Sequence, residues 1–388
     1  MSWSEVPFDS IIADSAFGPR FSGDCYADDG NVATLRTTDL SPDGFISLDT
    51  MPHAKIDEDK FESHFLQVGD LVISRSGRIG TTALFDGYHK PVLPGAFLIR
   101  FRLDLSKAHP LFFRLFFNSG EGQERLLSVA QGAAQQNINI TNVRKLSVPL
   151  PPLAEQFRIA TVLAAYDNLI ATNQRRIALL EDAARRLYRE WFVHLRFPGR
   201  ESVSVKDGVP EGWEQKPLGD VAPLNYGKAL RSTDRKDGKV PVFGSSGIVG
   251  AHNVALVDSG AIVVGRKGNV GSLYFSPAPC FPIDTVYYIA PAQSSYRLFL
   301  ALHQLNFISS DAAVPGLNRA YAHSLPVLQP SDDVAEAFER LVRPVFEQAQ
   351  QLAEQNAQLA QARDLLLPKL MSGQLDVSGI QLPEEIAA

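Results

Sequence analysis

One stretch, residues 151–197, limits what the chain can fold into: PPLAEQFRIATVLAAYDNLIATNQRRIALLEDAARRLYREWFVHLRF. Apolar residues recur there at alternating steps of three and four: Ile159, Leu163, Tyr166, Ile170, Ile177, Leu180, Ala184, Leu187 and Trp191. That spacing puts them on one stripe of an α-helix, and a stripe this long needs a partner helix along its length. Asn173 falls on the stripe, where a polar residue costs stability and selects register or partner. Pro151 and Pro152 precede the first turn, where a missing N–H does no harm, and Pro198-Gly199 closes the helix.

The chain on either side of this helix is duplicated. GDLVISRSGRIGT at 69–81 aligns with GAIVVGRKGNVGS at 260–272, a shift of 191. AAQQNINITNVRKL at 133–146 aligns with AAVPGLNRAYAHSL at 312–325, a shift of 179. The second shift carries the apolar stripe onto residues 333–371, whose own rhythm is Phe338, Leu341, Val345, Gln348, Leu352, Gln355, Leu359, Ala362 and Leu366. Pro344 lies inside this second helix and is expected to kink it or to mark a broken first turn. The expected fold is α+β: two similar mixed α/β domains separated by two long antiparallel helices that form an intramolecular coiled coil, related by a pseudo-two-fold axis. The expected boundaries are 1–150 for the first domain, 151–197 for the central helix and 198–212 for a linker. The second domain then spans 213–330, the C-terminal helix 331–375 and a tail 376–388. A helix of about 40 residues is about 60 Å long at 1.5 Å per residue, so each helix reads as a spacer.

Composition narrows the function classes. No run of roughly 18 apolar residues occurs, so no helical membrane span is expected. The N-terminus lacks the pattern of a signal peptide, and Cys25 and Cys280 lack metal-ligand spacing; both read as reduced thiols of a cytoplasmic protein. Net charge is −6, but residues 213–329 hold 10 Lys/Arg against 7 Asp/Glu, so a local basic surface is compatible with the acidic whole. There is no GxxxxGK[ST] phosphate loop, no Asn-Pro-Pro-aromatic or Asp-Pro-Pro-aromatic tetrapeptide, and no zinc spacing among the 8 histidines. Glu58-Asp59-Lys60 sits in an ordinary acidic run. No catalytic residue, metal or cofactor is expected.

What remains suits binding. Arg75, Ser76 and Arg78 occupy one Gly-rich turn and Arg266, Lys267 and Asn269 the matching one. Glycines admit backbone amides and basic side chains to a phosphate chain, and arginine and amide side chains pair with base edges. A solvated hairpin turn is the alternative reading of each. Gln135, Asn137 and Asn139 form an amide cluster, matched at 179 by Asn318 and its neighbour Arg319, and read either as base-edge contacts or as a polar cap. The basic, Gly/Ser-rich stretch 226–253 adds Lys228, Arg231, Ser245, Ser246 and Asn253, and Arg20 holds a comparable place near the start of the first domain.

With these residues in view, the chain resembles the DNA-specificity subunits of type I restriction-modification systems. PLPPLAEQFRIATVLAAYDNLI is similar to that family's central helix start, LLLPKLMSGQLDV at 365–377 to its C-terminal signature, and GRKGNVGS, PIDTVYY and AVPGLNR to one type of its target-recognition domain. The resemblance implies that each domain reads one half of a bipartite, asymmetric site on double-stranded DNA. It also implies that the helices set the spacing and dock methyltransferase subunits, likewise two, with a translocating nuclease subunit joining through the complex. The chain itself would then be non-catalytic. Three rivals stay open: an orphan recognition or anti-restriction protein, a methyltransferase or nuclease with an unrecognised site, and a coiled-coil scaffold.

Overall fold

A computed structural model describes residues 3–41, 43–130, 137–307 and 316–380. The chain divides into two compact units, residues 1–172 with 356–388 and residues 173–355.

In the first unit, β1 (Glu5–Pro7), β2 (Ile12–Phe17), β3 (Val32–Leu35), β4 (His53–Ala54), β5 (Leu71–Ser74), β6 (Thr82–Leu84), β7 (Val92–Pro94) and β8 (Leu98–Leu103) lead into α1 (Pro110–Asn118) and α2 (Gly120–Ser128). Then come α3 (Ile140–Arg144), β9 (Ser147–Pro149) and the long α4 (Leu153–Tyr188). β2-β8-β5-β6 form an antiparallel sheet; β4-β3-β7 form a second, in which β3 and β7 run parallel; β1 pairs with β9. The strands are short, and α1 is phenylalanine-rich and buried without a break from Phe112 to Phe117, so sheet and helix seal on one core. Phe8, Phe101, Phe112, Phe113, Phe116 and Phe117 are fully buried there, and Phe8 meets Phe117 edge-on at 5.0 Å.

The second unit repeats this topology strand for strand. After the hairpin β10 (Val205–Lys206) and β11 (Val209–Pro210) come β12 (Glu214–Pro217), α5 (Leu218–Val221), β13 (Leu224–Tyr226), β14 (Val240–Gly244) and β15 (Gly247–His252). β16 (Ala261–Gly265), β17 (Leu273–Ser276), β18 (Phe281–Pro282), β19 (Val286–Ile289) and α6 (Tyr296–Leu302) follow. α7 (Arg319–Ser324), β20 (Pro326–Gln329) and the long α8 (Asp332–Met371) complete it. The sheets are β13-β19-β16-β17 and β15-β14-β18, with β14 and β18 parallel, and β12 pairs with β20 as β1 pairs with β9.

α4 and α8 are antiparallel, as expected. In the first unit Arg363 meets Asp167 and Asn356 Nδ2 donates to Ile170 O at 3.2 Å, so position rises on one helix as it falls on the other. In the second unit Phe338 packs on Tyr188 and Trp191 at 6.0 and 5.5 Å and on Phe192, in a π-helical turn at Arg189–Val193, at 4.9 Å. Asn173 is buried on the α4 stripe.

One expectation is narrowed and another corrected. α8 runs from Asp332 without a break through Pro344, so the proline does not mark a broken first turn, and its exposed position leaves the unpaired carbonyl one turn back to water. Its buried stripe is also one residue off at alternate positions. Val342 is 0% and Ala349 7% exposed, and Asn356 is half-buried, whereas Leu341 is 52% exposed and Gln348 and Gln355 face solvent. Both templates share Phe338, Val345, Leu352, Leu359 and Leu366. Periodicity does not separate them, and leucine at 341 outbid valine at 342 on hydrophobicity alone.

Polar side chains fix the long helices to their domains. Gln156 is fully buried: its Oε1 accepts from His109 N, the N-cap of α1, and its Nε2 donates to Pro151 O and Lys107 O. In the second unit the Glu339 carboxylate accepts from the backbone N–H of Tyr296 and Arg297, at the first turn of α6. Asp167 is 6% exposed, with Arg114 of α1 at 3.0 Å on one oxygen and Arg363 of α8 at 2.7 Å on the other. Removing one member of a buried ion group strands the rest without a partner, which costs about 3–5 kcal/mol. Asp167→Ala is therefore expected to destabilise by that amount in chemical unfolding. The variant Arg114→Met, Asp167→Leu, Arg363→Leu, which removes every charge of the group, is expected to recover most of the loss.

Candidate nucleic-acid interface

Each four-stranded sheet carries one hairpin turn, residues 75–81 between β5 and β6 and residues 266–272 between β16 and β17. The two turns have one backbone. Gly77 and Gly80 have φ of 73° and 81°, and Gly268 and Gly271 have φ of 78° and 76°. Gly80 N donates to Ser74 O and Gly271 N to Gly265 O, both at 2.9 Å. Left-handed φ at two positions of so short a turn is what selects glycine there.

The two aligned segments of each domain meet at this turn. Ile138 N donates to Arg75 O at 3.0 Å, and Leu317 N donates to Arg266 O at 2.8 Å. The next residue in each unit is an N-cap. Asn139 Oδ1 accepts from Thr141 N, and Asn318 Oδ1 accepts from Ala320 N and Tyr321 N. The side-chain oxygens of Asn139 and Asn318 are thus committed to holding a short helix start against the turn.

In the second unit this junction builds an open cleft of 530 Å³. The Arg266 guanidinium lies 5.0 Å from the Tyr226 ring and 5.6 Å from the Tyr287 ring, and its Nη1 donates to Asp284 O at 3.2 Å. Arg319 lies 5.3 Å from the same Tyr226 ring, which is 51% exposed. Tyr287 Oη donates to Leu317 O at 3.1 Å, which fixes the inner wall. His323 Nε2 accepts from Leu224 N, and burial followed by the Arg319 charge pushes the imidazole below its usual basicity, which keeps it a neutral acceptor. None of the described residues lining the cleft is acidic. It is an electropositive pocket with aromatic walls, suited to planar groups rich in acceptors.

Several of the expected residues gather here. The Ser245-Ser246 turn of the β14–β15 hairpin lies against the 266–272 turn: Ser272 Oγ donates to Ser245 O at 2.7 Å, and Asn269 Nδ2 to Ser246 Oγ at 3.5 Å. Lys267 is exposed beside them, and Lys228 is exposed two residues beyond Tyr226, with Arg231 on the same loop. Asn253 stands apart. β14 and β15 pair from Gly244–Gly247 at the serine turn to Val240–His252 at the other end, and Asn253 follows that far end.

The first unit is built alike with different side chains. Arg75 stacks on Phe17 at 4.6 Å, Ser76 is buried and Arg78 is exposed, its carbonyl accepting from Ser74 Oγ and Thr81 Oγ1. Arg20 is exposed three residues past Phe17, and Asn137 is half-buried beside Ile138. Gln135 lies outside the described residues. The rings that carry Arg75 and Arg266 were not among the candidate residues. Their signal was an aromatic residue directly before glycine at a strand end, Phe17-Gly18 and Tyr226-Gly227.

A model of the type I restriction modification DNA specificity domain matches residues 10–182 and 210–326. The chain belongs to this family. Each match contains one glycine turn and the helix start bonded to it. The chain is 24% identical over 294 residues to the type I restriction enzyme MjaIX specificity subunit of Methanocaldococcus jannaschii, covering 67% of this chain and 68% of that one. It is 21% identical over 352 residues to the HindI specificity subunit of Haemophilus influenzae, covering 68% and 77%. Its fold is shared with the crystal structure of the type I restriction-modification S subunit from M. genitalium, at a TM-score of 0.63 and 20% identity over 95% of this chain and 96% of that one. Among the described residues of this specificity subunit no helix is long and apolar enough to cross a membrane, and no cluster of His, Cys, Asp or Glu could hold a metal.

The glycine turns give a contrast between two substitutions. A Cβ at Gly77 meets nothing within 4 Å, so Gly77→Ala is expected to cost only the left-handed backbone penalty, about 1–2 kcal/mol. A Cβ at Gly271 falls 2.9 Å from Phe307 Cβ, so Gly271→Ala is expected to cost more in the same unfolding assay.

Proposed function

We propose that this specificity subunit directs a type I restriction-modification assembly to DNA, each of its two domains reading one half of a bipartite, asymmetric site. One observation carries this reading. The two turns have the same backbone and the same bond to a helix start, yet they carry Arg75, a buried Ser76 and an exposed Arg78 in one unit and Arg266, Lys267 and Asn269 in the other. A common backbone gives a common docking pose, and different donors on it read different bases. Arg20, Lys228, Arg231 and Lys267 serve as phosphate contacts. Arg78, Gln135, Asn137, Asn269, Ser245 and Ser246 serve the base edges, Asn253, at the far end of the β14–β15 hairpin, reaches DNA outside the cleft, and Asn139 and Asn318 place the helix starts. Arg75 and Arg266 stack in both domains and hold the shared pose.

In this reading the paired helices are the ruler. The 36 residues of α4 span about 54 Å, under two DNA turns of about 34 Å. Their exposed faces dock methyltransferase subunits, two of them, and a translocating nuclease subunit joins through those. The partners supply catalysis and cofactors; this chain supplies the address.

Mapping methylated sites genome-wide, with the chain expressed beside its modification partners, tests both parts. The triple variant Arg266→Ala, Lys267→Ala, Asn269→Ala is expected to relax or abolish one half-site while leaving the other unchanged, the lost Asn269 base contact alone costing about 1–3 kcal/mol in binding by the assembled complex and the lost pose and phosphate contacts adding to it. A scaffold would leave the map and the binding unchanged. Adding one heptad to α4 and one at the facing level of α8 is expected to change the number of unspecified bases between the halves and to preserve both halves. An unchanged gap would remove the helices as ruler.

A further inference from the structure

We infer that Arg319 reads a guanine, through its N7 and O6, in the half-site of the second domain. The inference rests on the DNA-reading function proposed above and names the chemistry of its cleft. What the two units share and what they do not separates the two arginines of that cleft. An arginine at the turn, stacked on an aromatic ring at a strand end, is present in both, as Arg75 on Phe17 and Arg266 on Tyr226. A group common to both domains serves what both must do alike, which is to hold one pose on a uniform phosphate chain. Arg319 has no such counterpart: the shift of 179 places Ile140 at its position in the first unit. A cation present in one domain alone is where two readings diverge.

The geometry fits a base reader. Arg319 is exposed at the first position of α7, and its guanidinium rests on the Tyr226 ring. Among the described residues no hydrogen bond or ion pair engages it. Its helix start is fixed to the turn through the Leu317 N to Arg266 O bond, so the Cα is held while the donors are left open. Stacking on a ring limits the rotamers of a planar guanidinium, so little freedom is lost when it binds a planar partner. Arg266 shares the same ring, is tethered to Asp284 O, and no described lining residue of the cleft is acidic. Two cations beside one ring with no carboxylate between them favour a ligand edge rich in acceptors. Of the four bases, only guanine offers two acceptors side by side in the major groove, N7 and O6, matched to two parallel N–H donors.

The test uses the assembled complex and a duplex carrying its mapped site. Each guanine in turn is replaced by 7-deazaguanine, which removes N7 and keeps the Watson–Crick face. One replacement in the half-site that the second-domain triple variant relaxes is expected to weaken binding roughly tenfold or more. Arg319→Ala is expected to weaken binding to the normal duplex similarly and to erase the difference between normal and deaza duplexes. Tyr226→Leu, which removes the ring and keeps the guanidinium, is expected to fall between. The inference is overturned if that half-site holds no guanine, if the deaza penalty survives in Arg319→Ala, or if that variant weakens every sequence equally with a shallower salt dependence, the mark of a phosphate contact. Those results leave the half-site reading standing. An unchanged methylation map in the triple variant would instead remove that reading itself.

Discussion

Asp167 is the group on which the first unit depends. It is a carboxylate almost out of water, and two guanidiniums approach it from different elements, Arg114 from α1 and Arg363 from α8. Such a group contributes little net stability, because the desolvation of three charges offsets most of their attraction. Its effect lies in register. An apolar stripe tolerates a slip by one step of the three-four pattern, since leucine and alanine pack in several ways. A buried carboxylate does not, because a slip leaves it unpaired. With Gln156 holding the first turn of α4 to the N-terminus of α1, the domain, the central helix and the C-terminal helix are tied by directional bonds as well as by packing.

The second unit reaches the same end by other means. Glu339 on α8 accepts from the first N–H groups of α6, and Phe346 on α8 stacks on Tyr296 at 4.4 Å with the rings nearly parallel. Arg297, buried in the first turn of α6, donates to Leu328 O and Gln329 Oε1 on β20. Both units therefore anchor one long helix to the N-terminus of one short one. That N-terminus carries unpaired N–H donors in any α-helix, so it is a fixed and predictable partner for an acceptor on a neighbouring helix.

How much of this the sequence disclosed depended on the range of the interaction. The two aligned segments were legible because glycine is required where φ is positive, and the structure joins them through Arg75 O and Arg266 O. The antiparallel helix pair was legible because a long apolar stripe demands a partner. The rest was set by contacts between residues far apart in sequence. Asp167 lies in the stretch that resembles the family's central helix start, but its partners Arg114 and Arg363 stand 53 and 196 residues away, and only the fold brings them to it. Tyr226 looked like a loop aromatic until Arg266 and Arg319 lay on its ring. Val342 and Leu341 differ by 100° around a helix, and only the position of α4 decides which is inside.

The DNA-reading role proposed for a protein of net charge −6 is compatible with that charge because of locality. Repulsion from DNA by distant carboxylates is screened over about 8 Å at physiological salt, so the field that DNA meets is that of the nearest side chains. In the reading proposed for the second domain these are Arg266 and Arg319, which line a cleft without a described acidic wall, with Lys228 and Lys267 exposed next to its residues in the chain. Two cations on one ring repel, but the exposed edge of Tyr226 leaves them open to water, which keeps that cost small in the free protein.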